Sequence, residues 1–233
     1  MSRTIMTLEE AARFVHIDAN ELRHFAQRGE VPAIHHDGQW RFEVRALNEW
    51  AQRNLLASDG RGKDDMCRRT AEDGSTLFQV ANFFLQEAID LDMRAKARGG
   101  VLRDLVELAC QTGLVWESDK FFEALVEREE SASTAIGHSF AFPHARFLDR
   151  YMFESPFIAY GRSVRGVFFG GPDGEQTRHF FLVCSTDHQT HLKVLARLSE
   201  LVRKTTLAES LDAAQTPEEV IAIIKNCEKE LFQ

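Results

Sequence analysis

Residues 127–146 read EREESASTAIGHSFAFPHAR, and this stretch decides the fold of the larger part of the chain. Arg128 stands near the end of a helical pattern. A small, polar, glycine-containing turn follows, and a short apolar run then delivers Pro143-His144. A proline locks φ, so the histidine behind it is presented on a backbone with little freedom left to lose. Outward from this segment, helical and strand-like patterns alternate, which predicts an α/β sandwich with a mixed sheet flanked by helices. Upstream, Asp90-Leu91-Asp92-Met93 alternates like an edge strand. Val101, Leu102, Leu105, Val106 and Ala109 form a helical stripe closed by Gly113, and Ser118 caps a helix bearing Phe122, Leu125 and Val126. Downstream, Phe157 to Tyr160, Gly166 to Phe169 and Phe180 to Cys184 read as strands, with Arg178 and His179 as a solvated edge. A helix from His191 to Val202 repeats leucine at helical spacing. Thr216-Pro217-Glu218-Glu219 opens the last helix with an N-cap, a proline in the first turn and a capping glutamate.

The amino-terminal residues follow a different plan. Thr7-Leu8-Glu9-Glu10 is a capping box, and the helix behind it carries Leu8, Ala11, Ala12 and Val15 on one face. Asp18 to Glu21 caps a second helix with Leu22 and Phe25 inward, closed by Gly29 and Pro32. Asp37-Gly38 between two short β-prone runs is a hairpin signal, and Val44, Leu47 and Trp50 mark a third helix. The order helix, helix, hairpin, helix is that of a winged helix-turn-helix. Residues 57–72 are rich in charge and poor in apolar side chains, which reads as a solvated linker. The expected division is residues 1–56, a linker over 57–74, and residues 75–233.

The whole chain has 233 residues, with 36 acidic and 28 basic side chains and a net charge of −8. That balance excludes a protein that coats nucleic acid along its length, because such binding draws on a basic surface. Eighteen phenylalanines and 44% hydrophobic residues exclude wholesale disorder. No apolar run is long enough to span a membrane, and Glu9 and Glu10 precede any apolar stretch, so neither a membrane segment nor a signal peptide is expected. The four cysteines form no Cys-x-x-Cys pair. A cytoplasmic protein without a metal or cofactor is the expectation.

A neutral imidazole is a competent nucleophile near neutral pH. A phosphoryl group landing on it needs positioned donors for its oxygens, such as a second imidazole or a guanidinium. Transfer from another phosphohistidine needs little beyond positioning, because the bond made is like the bond broken. His191, at the start of the helix after the last strand, and Arg128 would flank His144 if their loops meet. His188, three residues before His191, is the competing candidate.

The motifs VLRDLVELA, FFEALVEREESASTAIGHSFAFPHAR and HLKVLARLSELV resemble, in order and spacing, the enzyme IIA component of the fructose–mannitol class of the bacterial phosphotransferase system, including its nitrogen-regulatory branch. The resemblance covers about residues 75–230. It implies that His144 is the phosphoacceptor, His191 the second active-site histidine and Arg128 the phosphate-facing arginine, with an HPr-like phosphocarrier as donor. The family's usual Gly-Asn-Gly is here Gly137-His138-Ser139, a change expected to alter docking of the phosphocarrier or to add an imidazole near the site. Arg146 and Arg150 are candidates for contact with that partner.

TLEEAARFVHIDANELRHFAQRGEVPAIHHDGQWRF resembles the excisionase-type winged helix related to MerR DNA-binding domains, over about residues 6–53. By that resemblance Asn20, Arg23, His24, Gln27 and Arg28 face double-stranded DNA, with His35, His36, Gln39 and Arg41 on the wing. A single winged helix reaches useful specificity as a dimer, so a homodimer is expected. The combined expectation is a regulatory phosphoryl carrier rather than a full enzyme, coupled to transcription. A relay component of sugar transport and an unphosphorylated IIA-like sensor are the alternatives.

Overall fold

The computed structural model describes residues 5–56, 70–71, 78–145 and 152–232. Strand β1 (Ile5–Thr7) leads into α1 (Leu8–Phe14) through the expected capping box, in which Thr7 and Glu10 satisfy each other's backbone N–H groups. Asp18 caps α2 (Ala19–Gln27) by accepting from the Asn20 N–H at 2.8 Å. The wing is β2 (Ile34–His36) and β3 (Gln39–Glu43), joined by Asp37 and Gly38 with φ of 50° and 74°, a turn that matches strand twist. Helix α3 (Val44–Leu56) follows, and β3 lies between β1 and β2 in a three-stranded sheet.

The larger part holds a five-stranded mixed sheet in the order β4-β7-β8-β6-β5. Its strands are β4 (Phe84–Asp90), β5 (Ala135–Gly137), β6 (Phe140–Ala141), β7 (Phe157–Val167) and β8 (Thr177–Cys184). Alternation along β8 explains the sandwich. Phe181 and Val183 enter one apolar cluster, while Phe180, Leu182 and Cys184 enter the other. Helices α4 (Arg98–Cys110) and α5 (Ser118–Ser131) cover the second face. Helices α6 (His188–Lys204), α7 (Leu207–Ala213) and α8 (Pro217–Phe232) cover the first. That first cluster continues without a break into Leu8, Leu22, Phe42, Leu47 and Leu55, so the winged helix is packed upon the sandwich.

Several expectations need correction. The edge strand runs over Phe84–Asp90 and stops where Asp90–Met93 was read as strand, because the Asp90 carboxylate accepts the Asp92 N–H and turns the chain. The cap before α5 is Glu117 without a side-chain bond, Ser118 being already helical. The two runs at 157–160 and 166–169 are largely one strand, β7, which ends at Val167 and leaves Phe168 exposed. His179 is no solvated edge: β8 is central, so its ring is fully buried, stacked on Phe140 and hydrogen-bonded to the Tyr160 hydroxyl at 2.8 Å. Of the linker expected at 57–74, only residues 70 and 71 are described. Among the described residues no helix is long and apolar enough to cross a membrane.

Candidate functional site

The chain fixes His144 from both sides before its side chain makes any contact. The Phe142 N–H donates to the Thr134 carbonyl at 3.0 Å, and the Pro143 carbonyl accepts from the Val183 N–H at 2.9 Å. Phe140 and Phe142 point into the first apolar cluster, and His144 keeps that alternation, so its ring faces α6. Glu129 supports the same turn from α5. Its buried carboxylate accepts from the Thr134 N–H and, at 2.6 Å, from the Thr134 hydroxyl, and burial pushes its pKa up.

His144 Nδ1 lies 2.7 Å from the Phe142 carbonyl, so Nδ1 carries the proton and donates. Nε2 is then the lone-pair nitrogen, and the Arg128 Nε–H donates to it at 3.3 Å. Arg128 is itself held by the Ala132 carbonyl at 2.7 Å. His191 meets His144 edge to face with ring centroids 5.0 Å apart, while His188 turns to the edge of Phe14, so His191 is the partner. His191 Nδ1 is 3.3 Å from the Ser185 hydroxyl, and its Nε2 has no partner among the described residues. Burial, then the Arg128 charge, holds His144 well below the ordinary imidazole value. Burial, then His188 and Arg128, lowers His191 to about 3. Both rings are neutral near pH 7, which leaves a lone pair on Nε2 of His144.

Gln52 of α3 is the residue that the sequence reading missed. Its Oε1 stands 3.1 Å from His144 Nε2, and its own Nε2 is unpartnered. An acceptor does not face a lone pair favourably, so the satisfied orientation is the amide rotated by half a turn, with NH₂ toward the imidazole. The signal was present in sequence. Asn48 and Gln52, four apart, break the apolar stripe of Leu47, Ala51 and Leu55 with two buried amides.

The Gly137-His138-Ser139 departure is remote from this site. Ser139 pairs with the start of β8 at Arg178 and His179, whereas Pro143 pairs with its far end at Val183. The turn adds no imidazole beside His144. His138 and Ser139 take φ of 52° and 67°, which is why Asn-Gly is the better pair for such a turn. Arg146 and Arg150 lie outside the described residues.

On the winged helix, Asn20, Arg23, His24, Gln27 and Arg28 are exposed along α2, and His35, His36 and Gln39 are exposed on the wing, with Arg41 half-buried. Arg23, Gln39 and Arg41 line one groove of about 370 Å³ together with Thr7 and Glu9. Several of these side chains are already engaged: Arg28 with Glu30 at 2.6 Å, Arg23 with Asn20 at 3.1 Å, and Arg41 with Gln39.

A mixed-sheet sandwich thus gathers two neutral histidines and an arginine at one strand end and carries a helix-turn-helix. Residues 82–227 match the family model described as phosphoenolpyruvate-dependent sugar phosphotransferase system, EIIA 2, and the chain belongs to that family. Residues 5–55 match a helix-turn-helix domain model. The fructose-specific EIIA component of Haloferax volcanii is 30% identical over 141 residues, which cover 58% of this chain and 90% of that one. A nitrogen regulatory protein of Bradyrhizobium diazoefficiens is 26% identical, with 62% of this chain and 94% of that one covered. The fructose-specific EIIABC component of Bacillus subtilis is 29% identical, but the match spans only 24% of that longer protein. The crystal structure of nitrogen regulatory protein IIA-Ntr from Neisseria meningitidis aligns with a TM-score of 0.56 at 26% identity, covering 62% of this chain and 98% of that one.

Proposed function

We propose that this protein accepts a phosphoryl group on His144 Nε2 from an HPr-like phosphocarrier and couples that event to DNA binding and transcriptional regulation in the cytoplasm. The observation that carries the reading is the meeting of His144, Arg128 and His191 around a nitrogen whose tautomer is set by Phe142. The Nε2 lone pair attacks phosphorus as the donor's P–N bond breaks, and the donor imidazole takes back the electron pair. The Nδ1–H stays on the Phe142 carbonyl throughout, which stabilises the positive character the ring gains. Arg128 and the unpartnered Nε2–H of His191 serve as donors to the phosphoryl oxygens.

Residues 1–56 form the duplex-binding unit in this proposal, residues 75–233 the carrier, and 57–74 the connection. Asn20, Arg23, His24, Gln27 and Arg28 read the duplex and His35, His36, Gln39 and Arg41 flank it, with two copies of the chain on one site. What supports this is the helix-turn-helix match and the exposure of these side chains.

Intact-protein mass after incubation with phosphoenolpyruvate, enzyme I and HPr tests the carrier. Wild type gains one phosphoryl group and His144→Ala gains none. No gain in wild type, with HPr or its nitrogen-branch relative, overturns the reading. Duplex affinity that falls steeply with salt tests the other half.

A further inference from the structure

His144 Nε2 is covered in this structure. The ring is 1% exposed and His191 is fully buried, although both belong to a site that must meet another protein. Beside Arg128 and His191, Gln52 of the winged helix stands over Nε2. We propose that α3 is an internal competitor for the phosphocarrier, so that a docked winged helix and a phosphorylated His144 exclude each other. This rests on the reading of His144 as acceptor and adds to it what the amino-terminal part does there.

Position supplies the first argument. In-line attack brings the reacting atoms to about 3–3.5 Å, and the Gln52 amide stands at 3.1 Å from Nε2. Phosphorus and its three oxygens need the volume that Gln52 fills.

The second argument is the character of the contact. Asn48 Oδ1, His188 Nδ1, His191 Nε2 and Ser199 Oγ are buried on α3 and α6 without a hydrogen-bond partner among the described residues, and Gln52 keeps one amide atom unpaired in either orientation. Buried polar atoms of this kind make the contact between the two helices less favourable than an apolar seam, because each loses its water without recompense. An interface that opens regains that water. Apolar side chains of both parts share one cluster, Phe14 meets the edge of His188, and Arg203 donates to the Leu55 carbonyl at 3.2 Å, contacts that hold the closed form.

Charge gives the direction. A phosphoryl group brings up to about two negative charges into a space closed to water, where an anion is costly unless fully paired. Arg128 and His191 can meet part of it, and the rest favours the opened form. The side chains expected to face DNA are exposed while α3 is docked. Release therefore changes where the winged helix sits, and leaves its outer face open throughout.

The test uses the full chain with phosphoenolpyruvate, enzyme I and HPr. Hydrogen exchange is read on α3 and α6 before and after phosphorylation, and phosphoryl uptake is timed by intact mass for wild type and Arg203→Ala. Arg203 lies twelve residues along α6 from His191, so its loss weakens docking without touching the acceptor. We expect exchange on both helices to rise about tenfold on phosphorylation while β7 is unchanged, and Arg203→Ala to take up phosphate about five- to tenfold faster. Unchanged exchange on α3 and α6 in the phosphorylated protein, with equal uptake rates, overturns the competitor and leaves the carrier standing. Absence of phosphate on either protein overturns the carrier itself, and the competitor with it.

Discussion

The side chain of Gln52 reaches Nε2 of His144 across 92 positions of sequence and stands 3.1 Å from it. One amide of the winged helix thus sets the surroundings of the nitrogen that the rest of the site has prepared. Because burial and Arg128 keep that imidazole neutral, a carboxylate in place of the amide should be felt at once. Gln52→Glu is expected to raise the His144 pKa, since an anion at hydrogen-bond distance favours the imidazolium. NMR titration of the imidazole reads the shift, and an unmoved His144 would mean the two side chains are apart in solution.

The hairpin turn between β5 and β6 carries two non-glycine residues at positive φ, at a cost of about 1 kcal/mol or more. Replacing His138-Ser139 with Asn-Gly should stabilise the protein by about 1 kcal/mol and raise Tm by roughly 2–4 °C. Since this turn lies at the opposite end of β8 from Pro143, phosphoryl uptake should be unchanged. Calorimetry and the mass assay together check both halves.

Glu228 and Arg197 form a buried pair at 3.3 Å, and the Glu228 carboxylate also accepts the Val80 and Ala81 N–H groups at 2.7 and 2.9 Å. Arg197→Ala would strand a buried carboxylate and is expected to cost about 3–5 kcal/mol in urea unfolding. Glu228→Gln keeps an acceptor for one N–H and should cost less. Equal losses would show that the charge is irrelevant there.

Acid should destabilise the fold before most carboxylates titrate. His144, His179, His188 and His191 are all lowered from 6.5 by burial, His179 to about 4 and His191 to about 3. Between 6.5 and those values the unfolded chain binds protons that the folded chain refuses, so stability falls as pH falls through that window. Glu129 and Asp104, raised by burial, work in the opposite sense but are two groups against four. Urea midpoints at about pH 7.5 and about pH 5 measure the difference. A midpoint that is constant or higher at the acid end would contradict the buried neutral imidazoles.

Much of this was legible in the residues. The capping box at Thr7, the Asp37-Gly38 hairpin and the stripe on α4 were readable because each depends on side chains within a few positions of one another. His144 and Arg128 stood in one motif. Choosing between His188 and His191 was not a local matter, since both start the same helix and only the docking of α6 decides which ring meets His144. His179 was misread for the same reason: a strand end looks solvated until the sheet order places β8 between β6 and β7.

By itself the sequence determined the two architectures, the caps at Thr7 and Asp18, the Asp37-Gly38 turn, and the candidates His144, His191 and Arg128, because periodicity and short-range hydrogen bonding are written residue by residue. Only the tertiary structure decided that Nε2 of His144 carries the lone pair, that the altered turn is remote from it, and that α3 lies over it. Those facts depend on which surfaces meet. A surface that buries apolar area next to unpaired amides is set by the packing of one part on the other, which no local pattern records.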